Sequence, residues 1–340
     1  MMSRLSTARA FTPVALAVAV TVACGSGSSD VLGPPDSGPT GSGPSGTEIL
    51  THPAGALSGK ILIADAPHGI DVSSTGTVYV TRLYSPSVAR FLVDAPASPL
   101  PSINLPTELS DVAFNRAGTV AYVGGPSGAD SRIYAIDVAS GTVKFTLPVG
   151  SAPYHLALSL DESRVFAAAS QSRVWSAPAV GGTATAAVLT GAMEGVAVSP
   201  SGGGLFAANQ NGIVRRLDPS SLLIQESSAP IGLLGDLAVS PDGAQVYVVT
   251  DVGVVVLAAS TLAPIGSVTV GNGAGGMAMS PDGQQLYVTT FFGELAIVDP
   301  VRLAVVKRIV LGGTPAHVAF DRLGKTAVVA NENGWVDIIK

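Results

Sequence analysis

From residue 50 onward, apolar residues come in short runs that Gly, Pro, Asp and Ser break every few positions, and within the runs apolar and polar side chains tend to alternate. Alternation of period two over so few residues predicts strands with one buried face, and the interruptions predict tight turns between them. Residues 236–270 show the pattern most clearly. Residues 236–240 predict a first strand (a), Pro241-Asp242-Gly243 a hairpin turn, residues 245–250 a second strand (b), residues 254–258 a third (c) and residues 264–270 a fourth (d).

This group of four recurs. Ser240-Pro241-Asp242-Gly243 returns as Ser280-Pro281-Asp282-Gly283 and, more loosely, as Ser199-Pro200-Ser201-Gly202, while Ser73, Asn115, Ser159 and Asp321 hold the equivalent first position; successive markers stand 42, 44, 40, 41, 40 and 41 residues apart. Two residues before the marker stands Ala113, Ala157, Ala197, Ala238, Ala278 or Ala319, with Asp71 as the exception; the small side chain is expected to suit a crowded axis. Six or seven residues after the marker stands Tyr79, Tyr122, Phe166, Phe206, Tyr247 or Tyr287, with Val328 as the exception. Gly212, Gly253, Gly293 and Gly334 open strand c at a tight turn, and Asp137, Asp218 and Asp299 close it, where a carboxylate bonds the turn backbone.

Seven copies of a four-stranded unit with a period near forty predict an all-β chain folded as a seven-bladed β-propeller of four-stranded blades. The last copy ends at Lys340, within its strand c. Residues 59–64 lead into Ala66-Pro67-His68-Gly69-Ile70 just as the sixth strand d leads into Thr314-Pro315-Ala316-His317-Val318. The N-terminal strand is therefore expected to join the last blade and close the ring, leaving no open edge.

The first fifty residues read differently. Arg4 and Arg9 precede an apolar run over residues 14–23, the length of a signal-peptide core and too short to span a bilayer as a helix. Nineteen of the twenty-five residues from 25 to 49 are Gly, Ser, Pro or Thr, which cannot bury a core and predicts a flexible tether. The chain thus divides into a signal peptide at 1–23, a tether at 24–49 and the propeller at 50–340. Thr21-Val22-Ala23-Cys24 resembles the lipobox of bacterial lipoproteins, which implies a mature chain beginning at a lipidated Cys24, exported to the cell envelope and anchored there to a membrane, periplasmic or on the outer surface.

Composition narrows the classes further. Apolar residues make up 47% and charged residues 12% of the chain, and mean hydropathy is +0.45, yet no run of eighteen apolar residues follows the leader, so the bulk is expected to be soluble and monomeric. Forty Gly and twenty-four Pro exclude a helical bundle. One cysteine excludes an internal disulfide and a cysteine-built metal site. A formal charge of −6, or −8 once Arg4 and Arg9 are removed, argues against nucleic acid as a partner.

Tyr79-Val80-Thr81, Tyr247-Val248-Val249-Thr250 and Tyr287-Val288-Thr289-Thr290, each on strand b, resemble the motif of the YVTN-repeat β-propeller family over residues 59–340. The resemblance implies the fold. For activity it implies only a range, since propellers with similar blades include surface-layer proteins, sugar-lactone hydrolases, streptogramin lyases and dehydrogenase or haem-protein subunits.

Candidate chemistry is positional. Gly271-Asn272-Gly273-Ala274-Gly275-Gly276 has the spacing of a dinucleotide fingerprint, but strand a of the sixth unit follows it, so no helix N-terminus is there to hold a pyrophosphate. There is neither a Gly-x-Ser-x-Gly elbow nor a Cys-x-x-Cys-His haem motif. Four residues before the markers stand Gly69, Asp111, His155, Gly195, Asp236, Gly276 and His317, with His68 and Glu194 one step earlier. Three of the four histidines thus fall on one ring, where strand a begins and where propellers place the channel mouth. His68, Asp111, His155, Glu194, Asp236 and His317 are the candidate ligand or divalent-metal site; the alternative is that they merely solvate the mouth. On the loops joining b to c, adjacent Phe291 and Phe292 are the candidate interaction surface. No cofactor is assigned by motif. The reading is a binding or scaffold propeller presenting the mouth to a protein or small ligand; the alternative is a lactonase- or lyase-like enzyme, or a metal-binding protein, using the His/carboxylate ring.

Overall fold

A computed structural model describes residues 49–125 and 131–340; the segments expected as signal peptide and tether, up to residue 48 and with Cys24, lie outside the described residues. The described residues contain no helix and form seven antiparallel four-stranded sheets, one per repeat. The innermost strands are Pro67–Val72, Val112–Phe114, Pro153–Leu158, Met193–Val198, Leu234–Val239, Ala274–Met279 and Pro315–Phe320, and each lies beside the next, the last against the first, so the sheets form a ring. Leu57–Leu62 pairs antiparallel with Trp335–Ile339, supplying strand d of blade 7 from the other end of the chain. This strand begins two residues earlier than the alternation suggested, because residues 51–56 are held down as well. Thr51 N–H donates to Leu323 O, the backbones of Ala56 and Lys340 exchange hydrogen bonds, and His52 Nδ1 lies 2.6 Å from Asp282 Oδ2.

The core consists of seven apolar clusters, each shared by two adjacent blades, which is why no blade can bury its faces alone. Strand b is covered on both faces and is nearly fully buried, whereas the outermost strand is largely exposed, as in Ile224–Ser227. The strand b aromatic of each repeat belongs to the cluster it shares with the following blade: Tyr79 packs with blade 2, Tyr247 with blade 6 and Tyr287 with blade 7. Its cross-strand neighbour is the small residue of strand a, as in Ala238 opposite Tyr247 and Ala278 opposite Tyr287, so that alanine makes room for the ring beside it. The hairpin marker works as its residues suggest: in Ser240-Pro241-Asp242-Gly243, Ser240 O accepts from Gly243 N–H, Asp242 Oδ1 from Ala244 N–H, and Gly243 takes a φ of 72°. Gly212, Gly293 and Gly334 have positive φ, but Gly253 does not; it is needed because a Cβ there would lie 2.1 Å from Val268 O.

Adjacent blades are also joined by polar bonds that explain part of the repeat motif. Thr81 Oγ1, the threonine of Tyr79-Val80-Thr81, accepts from Gly69 N–H at 2.9 Å and donates to Ser110 O of blade 2 at 2.8 Å. Thr289 repeats this with Gly276 N–H at 2.9 Å and Ala316 O of blade 7 at 2.6 Å. In blades 2 and 5, where the third residue of the motif is Gly124 or Val249, an aspartate of the inner strand makes the link: Asp111 accepts from Leu156 N–H at 2.8 Å and Asp236 from Met277 N–H at 3.1 Å.

Candidate functional site

In six blades the pairing of strand a with strand b shifts register around the position four before the marker, at Gly69, His155, Gly195, Asp236, Gly276 and His317. Such a bulge re-aims one side chain, and here it turns the inner strand's side chains toward the channel. Two elements therefore build the mouth, the bulged start of strand a and the loop joining b to c above it.

A cavity of about 360 Å³ opens there. His68, His155, Glu194, Asp236 and His317 line it, with Phe291 at its edge. The ring centroids of His155 and His317 lie 4.8 Å apart, as do those of His68 and His317, so blades 1, 3 and 7 meet across the channel. One ligand atom each of His155, Asp236 and His317 lies within 4.8 Å of the other two. Asp111 is the predicted site residue that does not line this cavity; its carboxylate accepts the Leu156 N–H of blade 3, as Asp236 accepts the Met277 N–H of blade 6. His68 and Glu194 are each held by a loop residue: His68 Nδ1 is 2.8 Å from Glu332 Oε1, and Gln210 Nε2 donates to Glu194. His155 and His317 have no hydrogen-bond partner among the described residues.

Phe291 and Phe292 are 50% and 76% exposed, so the loop presents both rings rather than burying one. Their edges rest over Gly275 and Gly273, where a Cβ would approach within 3.0 Å of either ring. Leu233, Thr250 and Asp251 complete the cavity on the same side; Thr250 ends the strand b motif and Asp251 opens the loop joining b to c, while Leu233 carries no repeat signal.

Enclosure sets the charges. Burial pushes His155 down to about 3, with the neighbouring His68 adding to it, and pushes His317 well below the usual imidazole range. Burial raises Asp236 to about 6, against the backbone N–H bonds from Met277 and Leu237 that favour its ionised form. Asp111 rises to about 8, by burial first and then by repulsion from Asp236 and Asp71. At neutral pH the mouth therefore holds two uncharged imidazoles beside a mostly ionised Asp236 and a mostly protonated Asp111. Asp71, the exception to the strand a alanine, is a further channel carboxylate that the repeat pattern flagged without assigning it a role; it accepts from Val72 and Phe114 N–H and is raised to about 6 by burial.

A wider recess of about 610 Å³ lies on the outer rim between blades 7 and 1. Of its four cations, Lys60 and Arg82 are paired with Asp337 and Asp65, Arg90 donates to Pro101 O and the Tyr79 hydroxyl, and Lys340 also lines the recess.

No protein-family model matches the chain, and no curated protein matches its sequence. Among solved structures, the fold is similar to that of a chain in the crystal structure of the mitotic checkpoint complex, with a TM-score of 0.75 over 92% of this chain and 98% of that one at 15% identity. At that identity the likeness speaks to the fold alone: the chain is a seven-bladed β-propeller.

Proposed function

We propose that this protein is an envelope-anchored binding propeller of the YVTN-repeat kind, exported, monomeric and tethered to a membrane through lipid on Cys24, which takes a small ligand into its channel mouth. The observation that carries the reading is the convergence of five titratable side chains, His68, His155, Glu194, Asp236 and His317, on one cavity of about 360 Å³, a volume within the range of small-molecule sites. The lipobox-like Thr21-Val22-Ala23-Cys24 and the Gly/Ser/Pro tether support the anchoring half. Phe291 and Phe292 at the rim offer apolar contact to the ligand or to a protein that carries it.

Native mass spectrometry of the chain recovered from its membrane fraction tests both halves. The wild type is expected to carry a lipid mass that Cys24→Ser lacks, together with a small adduct that Asp251→Trp, a bulky replacement at an exposed rim position, excludes. Bare protein masses from wild type and Asp251→Trp alike would remove the ligand reading, and a Cys24→Ser chain that still sediments with membranes would remove the anchor.

One observation favours an enzyme as the second reading. The Glu332 carboxylate on His68 Nδ1 is the arrangement that orients an imidazole for proton transfer, and it stands at the cavity wall. Turnover in a lactone panel that His68→Ala abolishes would favour it over simple binding.

A further inference from the structure

We propose that His155, Asp236 and His317 hold a divalent transition-metal ion of the zinc class at the floor of the channel mouth, with its remaining coordination positions open to the cavity. The proposal rests on the reading of the mouth as a ligand site and names what that site binds first.

The ring itself points to it. The three residues occupy the same register position in blades 3, 5 and 7, and the intervening blades 4 and 6 carry Gly195 and Gly276 there. Side chains alternate with bare backbone around that half of the ring, which lets three blades reach a common point without crowding. Gly276 is also required by the joint behind it, since a Cβ would lie 2.2 Å from Ala316 O. Blade 1 contributes Gly69, and blade 2 contributes Asp111, which accepts from Leu156 N–H of the next blade as Asp236 does from Met277 N–H but does not line the cavity.

The three donors are prepared for a cation in different ways. Asp236 is fixed by two backbone donors, Leu237 N–H at 2.7 Å on one oxygen and Met277 N–H at 3.1 Å on the other, which orient the carboxylate and leave each oxygen a further lone pair. His155 and His317 meet each other only through their rings, and neither spends a nitrogen on a hydrogen bond with the described residues. His155, Asp236 and His317 are half-buried and open to the cavity, so two imidazoles with unspent nitrogens stand beside an oriented carboxylate, and one ion can bind all three. Around a tetrahedral ion with bonds near 2.1 Å, ligand atoms stand about 3.4 Å apart. The observed limit of 4.8 Å closes to this by rotation of the two imidazoles about their side-chain torsions.

Two nitrogens and one oxygen suit Zn²⁺, Co²⁺ or Ni²⁺ and are poor for Ca²⁺ and Mg²⁺, which take oxygen. Three protein ligands leave at least one open position, the form of a site that binds or acts on something rather than one that only braces a fold. Glu194 and Asp251, on the same cavity wall, supply negative charge around the entry path.

The test uses the full chain, stripped with chelator and titrated with zinc chloride, with metal content measured after gel filtration and Co²⁺ absorption as a spectroscopic check. One equivalent of zinc per chain is expected, with no calcium or magnesium retained, and a Co²⁺ spectrum of low coordination number. His317→Ala and His155→Ala are each expected to weaken zinc binding roughly a hundredfold or more, since loss of even an outer partner costs 10–100-fold. His52→Ala, the histidine that pairs with Asp282 outside the channel, is expected to bind as wild type does. Circular dichroism confirms that each variant is folded. A wild type that retains no zinc, or His155→Ala and His317→Ala chains that bind it unchanged, would overturn the proposal. Loss of the metal while the small adduct of the membrane-derived protein persists would leave the broader ligand reading standing, so the two failures are separable.

Discussion

Replacing Thr289 by valine removes one oxygen from a fully buried side chain and keeps its shape. That oxygen is the link between blade 6 and blade 7: it accepts the Gly276 N–H and donates to Ala316 O at 2.6 Å. Both backbone partners lie at the tight approach of the two inner strands, where no room exists for water to replace the hydroxyl. Each buried polar group left without a partner costs about 1–3 kcal/mol, so Thr289→Val, which orphans two, is expected to cost about 2–6 kcal/mol in all. For a domain of this size that corresponds to a fall in melting temperature of roughly 4–12 °C. Thr289→Ser retains the hydroxyl and loses only a methyl group, at about 1 kcal/mol. Urea unfolding followed by tryptophan fluorescence suits the measurement, because Trp335 lies in blade 7 and Trp175 in blade 3. A valine variant as stable as wild type, or a serine variant as unstable as valine, would refute the claim that the motif threonine acts as a polar joint between blades.

The channel carboxylates give the fold a pH dependence whose sign can be worked out. Asp71, raised by burial to about 6, binds its proton more tightly folded than unfolded, so its contribution is fully present below about pH 4 and is lost as pH rises through 6, a loss of at most about 3 kcal/mol. The depressed His155 and His317 act oppositely, losing stability as pH falls below 6.5, and Asp111 is coupled to Asp71. The term is therefore read from a difference: Asp71→Asn is expected to gain on wild type between pH 4.5 and pH 7.5 in urea melts, and a constant gap between the two curves would contradict it. Deleting residues 25–48 is expected to leave the melting temperature unchanged, while extending the cut through residue 63 removes the strand paired with Trp335–Ile339 and the buried Ile63, and is expected to cause aggregation; equal melting temperatures would count against the role of that strand.

The blade count and the strand order were legible because both rest on local signals, the Ser-Pro-Asp-Gly turn and the alternation around it. The ring of candidate residues was legible for the same reason, since register alone puts His155, Asp236 and His317 at equivalent positions. What register does not contain is the direction of a side chain. Asp111 and Asp236 are equivalent in sequence and each accepts from the backbone of the next blade, yet only Asp236 lines the cavity, because no residue of blade 2 takes part in the cavity wall. The sequence places the threonine of the motif on strand b but does not contain its bonds to Gly69 or Gly276 and to the next blade, which depend on two blades standing side by side. The loop contribution, Glu332 on His68 and Phe291 over Gly275, depends on contacts between repeats that no periodicity encodes.

The pairing of Leu57 with Ile339 also sets the order of events when the chain folds. Six blades are each made from one continuous stretch and can form from local contacts, but the seventh waits for two segments about 280 residues apart to meet. Closing a loop of that length costs about 5 kcal/mol in chain entropy, and nothing repays it until strands from both ends are present. Ring closure is therefore expected to be the slow, late step, and the cavity, lined from blade 1 and blades 3 to 7, is expected to form only when it is complete.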